Sequence, residues 1–177
     1  MGKTAIPSVI RSYHEIDETI SPKLIQKIKN VEKNKRNLFL DVDGVLCAMQ
    51  YNPEYKNVKN AVWDSVYRTD FCHWINSIHT VLDMFCNVFI ISNYSHETEK
   101  TAKHLWLKNN IKFYFHLILN KEGNSKAIFA SSTNDVLVDD TLKNLDEWHH
   151  AGGDIFAYQY ITCEKGRRHL LRTLLKK

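Results

Sequence analysis

The sequence predicts a doubly wound α/β fold, a Rossmann-like parallel sheet of about five strands with helices on both faces. Three observations carry that prediction. Five short apolar runs recur along the chain, segments of helical periodicity fall between them, and neither an internal repeat nor an obvious linker divides its 177 residues. A chain of this length fits one domain. Strands alternating with helices are the signature of a parallel sheet.

Taken in order, the runs are 37–41, 87–93, 112–119, 135–139 and 154–160. Each is rich in β-branched and aromatic residues and too short for a buried helix, which suits strands covered on both faces. Between the first two, Phe71, Trp74, Ile75, Ile78, Leu82 and Phe85 recur at three- and four-residue steps, predicting one helix of about four turns. Helices are expected over 96–108 and 141–150, the second ending at Gly152-Gly153, a C-cap signal. Lys126 falls in a segment that begins a short helix. Two more helices are expected at the ends, over 21–33 and from Glu164 onward, where Leu170, Leu171, Leu174 and Leu175 share one side. The expected organisation is a basic helical extension over 1–36, an α/β domain over 37–163 with a flap loop at 45–68, and a basic C-terminal helix over 164–177 packed on the domain.

Composition narrows the class. Hydrophobic residues at 44% and charged residues at 25% are the balance of a globular domain, and six glycines with three prolines exclude collagenous or low-complexity readings. The longest apolar stretch, 81–91, is broken by Asp83 and Asn87 and falls short of the ~20 residues of a membrane span. The opening Met-Gly-Lys-Thr-Ala-Ile-Pro has no apolar core of a signal peptide. Cys47, Cys72, Cys86 and Cys163 show no CxxC spacing and read as free thiols of a reducing compartment. The expectation is a cytoplasmic protein that does not enter membranes. The net charge of +4 is uneven: 23–36 and 164–177 each hold six basic residues against one Glu, leaving the body acidic. Two basic ends suit a polyanionic partner or two solvated helix faces.

In open parallel sheets the working residues collect beyond the C-terminal strand ends. The first run ends Asp41-Val-Asp43-Gly44; residues two apart on an extended chain project to one side, and Gly44 permits the sharp turn that follows. The second run ends in Ser92-Asn93 and the fourth in Asp139-Asp140-Thr141, with Lys126 thirteen residues before Asp139. Clustered carboxylates repel unless a cation neutralises them, and oxygen-only ligands favour Mg²⁺. An EF-hand is excluded because the third acidic ligand and the closing Glu are missing. His149-His150 project in different directions on a helix and form no metal pair.

These motifs, Leu38-Phe-Leu-Asp-Val-Asp-Gly-Val-Leu46, Ile90-Ile-Ser-Asn93, Lys126 and Val136-Leu-Val-Asp-Asp-Thr141, resemble the haloacid dehalogenase superfamily of aspartate-nucleophile phosphotransferases over roughly 37–160. The resemblance implies a Mg²⁺-dependent phosphatase. In it, Asp41 would be the nucleophile and Asp43 the acid/base, while Ser92 and Lys126 would hold the phosphoryl oxygens. Mg²⁺ would be bound by Asp41, the Asp43 backbone carbonyl and Asp140, with Asp139 supporting. Dehalogenating members lack an acid/base at the position of Asp43, so phosphoryl transfer to water is the implied reaction.

Residues 45–68 leave too little chain for a cap domain, so a minimal lid is expected. It is aromatic and basic, and its Trp63 and Tyr67, together with Gly44 and Asn93 of the first and second motifs, are the candidate substrate contacts. The segment 138–153 is similar to deoxyribonucleotidase-like members, which implies a phosphorylated small molecule, a nucleotide, as substrate. The uncapped layout and basic ends are similar to polynucleotide 3′-phosphatases, which implies nucleic-acid 3′ ends instead. A catalytically idle binding protein on the same fold is the third reading, and the filled motif positions oppose it.

Overall fold

The computed structural model describes residues 26, 29–30, 34–49 and 66–176. Trp63 and the flap residues 51–62 lie outside the described residues, as do nearly all of the expected N-terminal helix and Lys177.

Five strands form one parallel sheet: β1 (Arg36–Leu40), β4 (Cys86–Tyr94), β5 (His116–Lys121), β6 (Asp135–Asp139) and β7 (Asp154–Ala157), in the order β5-β4-β1-β6-β7. The doubly wound α/β class is as the sequence predicts. β1 is central, and its Leu38, Phe39 and Leu40 are wholly buried. Because strand side chains alternate, Leu38 and Leu40 enter one core with Val88, Ile90, Val136 and Val138. Phe39 enters the opposite core with Phe89, Leu137 and Trp148. Phe39 stacks on Phe89 at 4.6 Å, and Trp148 closes on its edge at 4.7 Å.

The remaining elements are β2 (Cys47–Met49), β3 (Val66–Arg68), α1 (Asp70–Ser77), α2 (His79–Phe85), α3 (Glu97–Asn110), a 3-10 turn over Lys126–Phe129, α4 (Leu142–His150), α5 (Tyr158–Ile161) and α6 (Glu164–Leu174). The antiparallel β2–β3 pair forms a stem at the base of the flap that the sequence reading did not anticipate. On α6, Leu170 and Leu174 dock on the core while Leu175 stays exposed. No helix among the described residues is long and apolar enough to cross a membrane.

Three element boundaries differ from expectation, each for a local reason. The expected four-turn helix breaks at Ile78. There Asn76 turns its side chain outward from the helix, donating to the Asn110 carbonyl (2.9 Å) and accepting the Lys112 N–H (2.8 Å). Residues 112–115 bury Phe113 and Phe115 without joining the sheet, and the Lys112 and Tyr114 N–H groups are met by the side chains of Asn76 and Asp83. Strand β7 stops at Ala157, opposite the last residue of β6, and Tyr158 turns into α5 to meet Phe71.

The basic run before β1 is not wholly a solvated face. Lys29 is buried, paired with Asp135 at 2.8 Å and bonded to the Phe129 carbonyl at 2.6 Å. Asp135 also accepts from Asn37, which accepts from Asn87. This polar knot sits at the N-terminal sheet edge, opposite the edge that gathers the motif residues. Cys47, Cys72 and Cys86 are buried thiols and Cys163 is exposed; all four are free.

Candidate active site

Strands β1, β4 and β6 end side by side, and their C-terminal ends open into a cleft of about 350 Å³ lined by Asp41, Asp43, Gly44, Cys47, Asn93, Lys126, Asp140, Thr141 and Asn144. Asp41 follows β1 directly, with its N–H bonded to the Val138 carbonyl of β6 (3.0 Å). Its Oδ1 accepts the Val42 N–H at 2.8 Å, which fixes the carboxylate against its own backbone. The loop then closes tightly: Leu46 and Cys47 both donate to the Val42 carbonyl, and Gly44 donates to Cys47. Thr69 holds the far side, bonding Val45 while capping α1 through the Cys72 N–H.

Lys126 reaches the cleft from the 3-10 turn, whose start is fixed by Ser125: its Oγ accepts the Ala127 N–H and donates to Glu147 at 2.5 Å. The Lys126 ammonium bridges Asp41 (2.8 Å) and Asp139 (2.7 Å). Asp139 is fully buried and otherwise saturated by the Thr141 N–H (2.9 Å) and the Asn144 amide (3.1 Å). Asp140, half-buried, keeps an edge on the cleft. Burial raises the Asp41 carboxyl to about 7; Lys126 pulls it back, and Asp139 and Asp43 push it up. For Lys126, burial lowers the pKa but the two carboxylates outweigh it and hold the ammonium above the ordinary lysine range.

Carboxylate oxygens of Asp41, Asp139 and Asp140 lie within 4.8 Å of one another, a cluster that could hold a metal ion. One ammonium against three carboxyl groups leaves the cluster short of positive charge, and its all-oxygen donor set fits a hard divalent cation. Gly44 leaves the space: with φ of +77°, it occupies a position where a Cβ would fall 2.1 Å from Asp140 Oδ2. Gly44→Ala is therefore expected to displace the Asp140 carboxylate in addition to costing about 1–2 kcal/mol of backbone strain. Titration of a divalent cation against thermal stability should show affinity reduced by roughly tenfold or more. An unchanged cation response in the folded variant would remove Asp140 from the cation site.

The remaining sequence candidates are distributed unevenly. Asn93 lines the cleft, with its Oδ1 buried and unpaired. Ser92 is fully buried and is not among the lining residues; its hydroxyl donates to Asp43 Oδ2 at 3.0 Å. The Asp43 carboxylate does not join the three-carboxylate cluster. Tyr67 stands on β3, 54% exposed and outside the cleft lining.

Sequence reasoning missed Lys103. This α3 residue is 1% exposed, and its ammonium contacts Asp43 Oδ2 at 2.7 Å, Glu99 at 2.8 Å, Ser92 Oγ at 3.0 Å and the Asn93 carbonyl. Burial works to lower its pKa, and Asp43 and Glu99 outweigh that and raise it. One signal was available: Lys103, Trp106 and Leu107 form the buried stripe of α3 at helical spacing.

The fold and cleft define a doubly wound α/β protein with a carboxylate cluster and a bridging lysine at the C-terminal edge of its sheet. No family model matches the chain, and no curated protein sequence matches it. Among solved structures, the chain is similar to one in the Pnkp1/Rnl/Hen1 RNA repair complex, with a TM-score of 0.46 and 12% identity. The likeness covers 70% of this chain and 42% of that one, so the chain spans less than half the length of that neighbour.

Proposed function

We propose that the chain is a Mg²⁺-dependent phosphomonoester hydrolase that works through an aspartyl-phosphate on Asp41, with a nucleotide as substrate. The observation that carries the reading is the Lys126 bridge between Asp41 and Asp139, beside Asp140 in one cleft. A carboxylate so placed is an oriented nucleophile, and a fixed ammonium beside it offsets charge that grows on the phosphoryl oxygens. The superfamily resemblance of the four motifs points the same way.

In the first half-reaction an Asp41 oxygen bonds to phosphorus as the bond to the leaving oxygen breaks, and Asp43 gives that oxygen its proton. In the second, Asp43 takes a proton from water, whose oxygen attacks phosphorus and releases inorganic phosphate from Asp41. The Asp41 and Asp140 carboxylates and the Asp43 backbone carbonyl, with Asp139 supporting, would hold Mg²⁺, which when bound supplies Lewis-acid neutralisation of the phosphoryl oxygens. Asn93 and Gly44 are assigned to substrate contact, and Trp63 and Tyr67 to the lid.

A second reading, a polynucleotide 3′-end phosphatase, is favoured by one specific feature. The Gln159 amide bonds the Asp140 carbonyl (3.4 Å), and the next residue, Tyr160, lines a cleft shared with Glu164, Lys165, Arg168, His169 and Arg172, in which Glu164 pairs with Arg168. This cleft, three of whose residues are Lys or Arg, is thus tied through Gln159 to the backbone of Asp140. Arg167, by contrast, spends its guanidinium on the Ile161 and Thr162 carbonyls.

A phosphatase screen with Mg²⁺ over 5′- and 3′-mononucleotides, 3′-phosphorylated oligonucleotides, sugar phosphates and phosphopeptides tests both readings. Hydrolysis of a mononucleotide, abolished by chelator and indifferent to salt, is expected. A preference for the oligonucleotide that shrinks with rising salt would decide for the second reading, and full activity in excess chelator would sink the role of Mg²⁺.

A further inference from the structure

We infer that Lys103 is a positioning residue for Asp43, an assignment that rests on the proposed phosphomonoester hydrolysis. Three roles are open to a buried lysine at this point, and the contacts separate them. A phosphoryl-binding lysine needs a free N–H, but the three hydrogens of Lys103 already face four acceptors: Asp43 Oδ2, Glu99, Ser92 Oγ and the Asn93 carbonyl. Nor does Lys103 line the cleft, whereas Asp43 and Lys126 do. A purely structural tie between α3 and β4 is served by the Asn93 carbonyl and leaves the link to Asp43 without a purpose.

The state of Asp43 favours the third role. Lys103 and the Ser92 hydroxyl both bind Oδ2, while Oδ1 is buried with no partner. The side chain as a whole keeps 38% exposure and lines the cleft. An unpartnered buried carboxylate oxygen is unfavourable, so the fold does not choose this orientation by satisfying both oxygens. It is imposed through Oδ2. With Oδ2 held by two donors, Oδ1 is the oxygen left to carry the proton to the leaving group and to take one from water. Its aim depends on that clamp, because proton transfer requires hydrogen-bond reach. Glu99, at the start of the same helix, shares the ammonium and accepts the Ser95 N–H (2.9 Å), which ties the clamp to the turn that enters α3.

The test compares two substrates on one preparation of Lys103→Met: a nucleoside monophosphate, whose alkoxide must be protonated, and nitrophenyl phosphate, whose leaving group need not be. Their kcat ratio is unaffected by the folded fraction, so partial misfolding does not obscure it. We expect turnover of the nucleotide to fall at least tenfold more than that of nitrophenyl phosphate, with Lys103→Arg restoring part of the ratio. If Lys103→Met does not fold, the same ratio is read on Lys103→Arg and Lys103→Gln. Equal losses on both substrates, or no loss, would overturn the assignment of Lys103 and leave the proposed function standing. An unsubstituted chain that hydrolyses neither substrate would defeat the proposed function, and the assignment with it.

Discussion

Asp41→Asn is expected to abolish phosphomonoester hydrolysis, by on the order of 10⁴-fold or more, on good and poor leaving groups alike. The amide is nearly isosteric and can still accept the Val42 N–H that orients Asp41, so the loop should close as before. What is lost is the nucleophile, since a neutral amide cannot form the acyl-phosphate bond. The uniform loss is the diagnostic feature, because a proton donor matters only for the poor leaving group. Folding should not suffer: Asp41 is buried beside two other carboxylates, and removing its charge relieves repulsion from Asp139 while weakening the contact with Lys126. A folded Asp41→Asn protein that retained a tenth of its turnover would require a different nucleophile.

Lys126→Met should produce the largest stability effect. The lysine is 3% exposed and bridges two carboxylates that are themselves nearly buried. Removing one partner of such a network leaves uncompensated buried charge, at a cost of about 3–5 kcal/mol. That is a large part of the ~5–15 kcal/mol that holds a typical domain together. Cation binding and this lysine neutralise the same carboxylate cluster, so Mg²⁺ should stabilise Lys126→Met more than the parent chain. Chemical denaturation with and without Mg²⁺ reads both effects. A loss below 1 kcal/mol, or a Mg²⁺ increment no larger than in the parent, would mean that Asp41 and Asp139 are not held as one charged cluster.

The parts of the site that were legible in the sequence are those that sit at strand ends. A buried parallel strand reads as an apolar run, so the polar residue that ends the run marks the C-terminal edge, as Asp41, Ser92 and Asp139 do. Lys126 was legible only by its place before Asp139, since the 3-10 turn that aims it is fixed by the Ser125–Glu147 contact across 22 residues. Lys103 was hidden by its neighbours. Lys100, His104 and Lys108 make α3 look like a solvated face, and what buries Lys103 is the packing of that helix over the end of β4. The apolar runs at 112–115 and 158–160 misled for a related reason. Side-chain acceptors from α1 and α2 satisfy the first, and β6 offers the second no partner beyond Asp139. Strand propensity names residues that suit a sheet, while pairing decides which of them enter it.

The central claim is that phosphorus becomes covalently attached to Asp41. Reduction by borohydride during turnover tests it directly, because an acyl-phosphate is reduced to the alcohol while free carboxylates are not. Mass spectrometry of the peptide spanning residues 37–56 should then find homoserine in place of Asp41, dependent on both substrate and Mg²⁺. Sustained turnover with Asp41 unmodified, or homoserine appearing instead at Asp43, Asp139 or Asp140, would contradict the account.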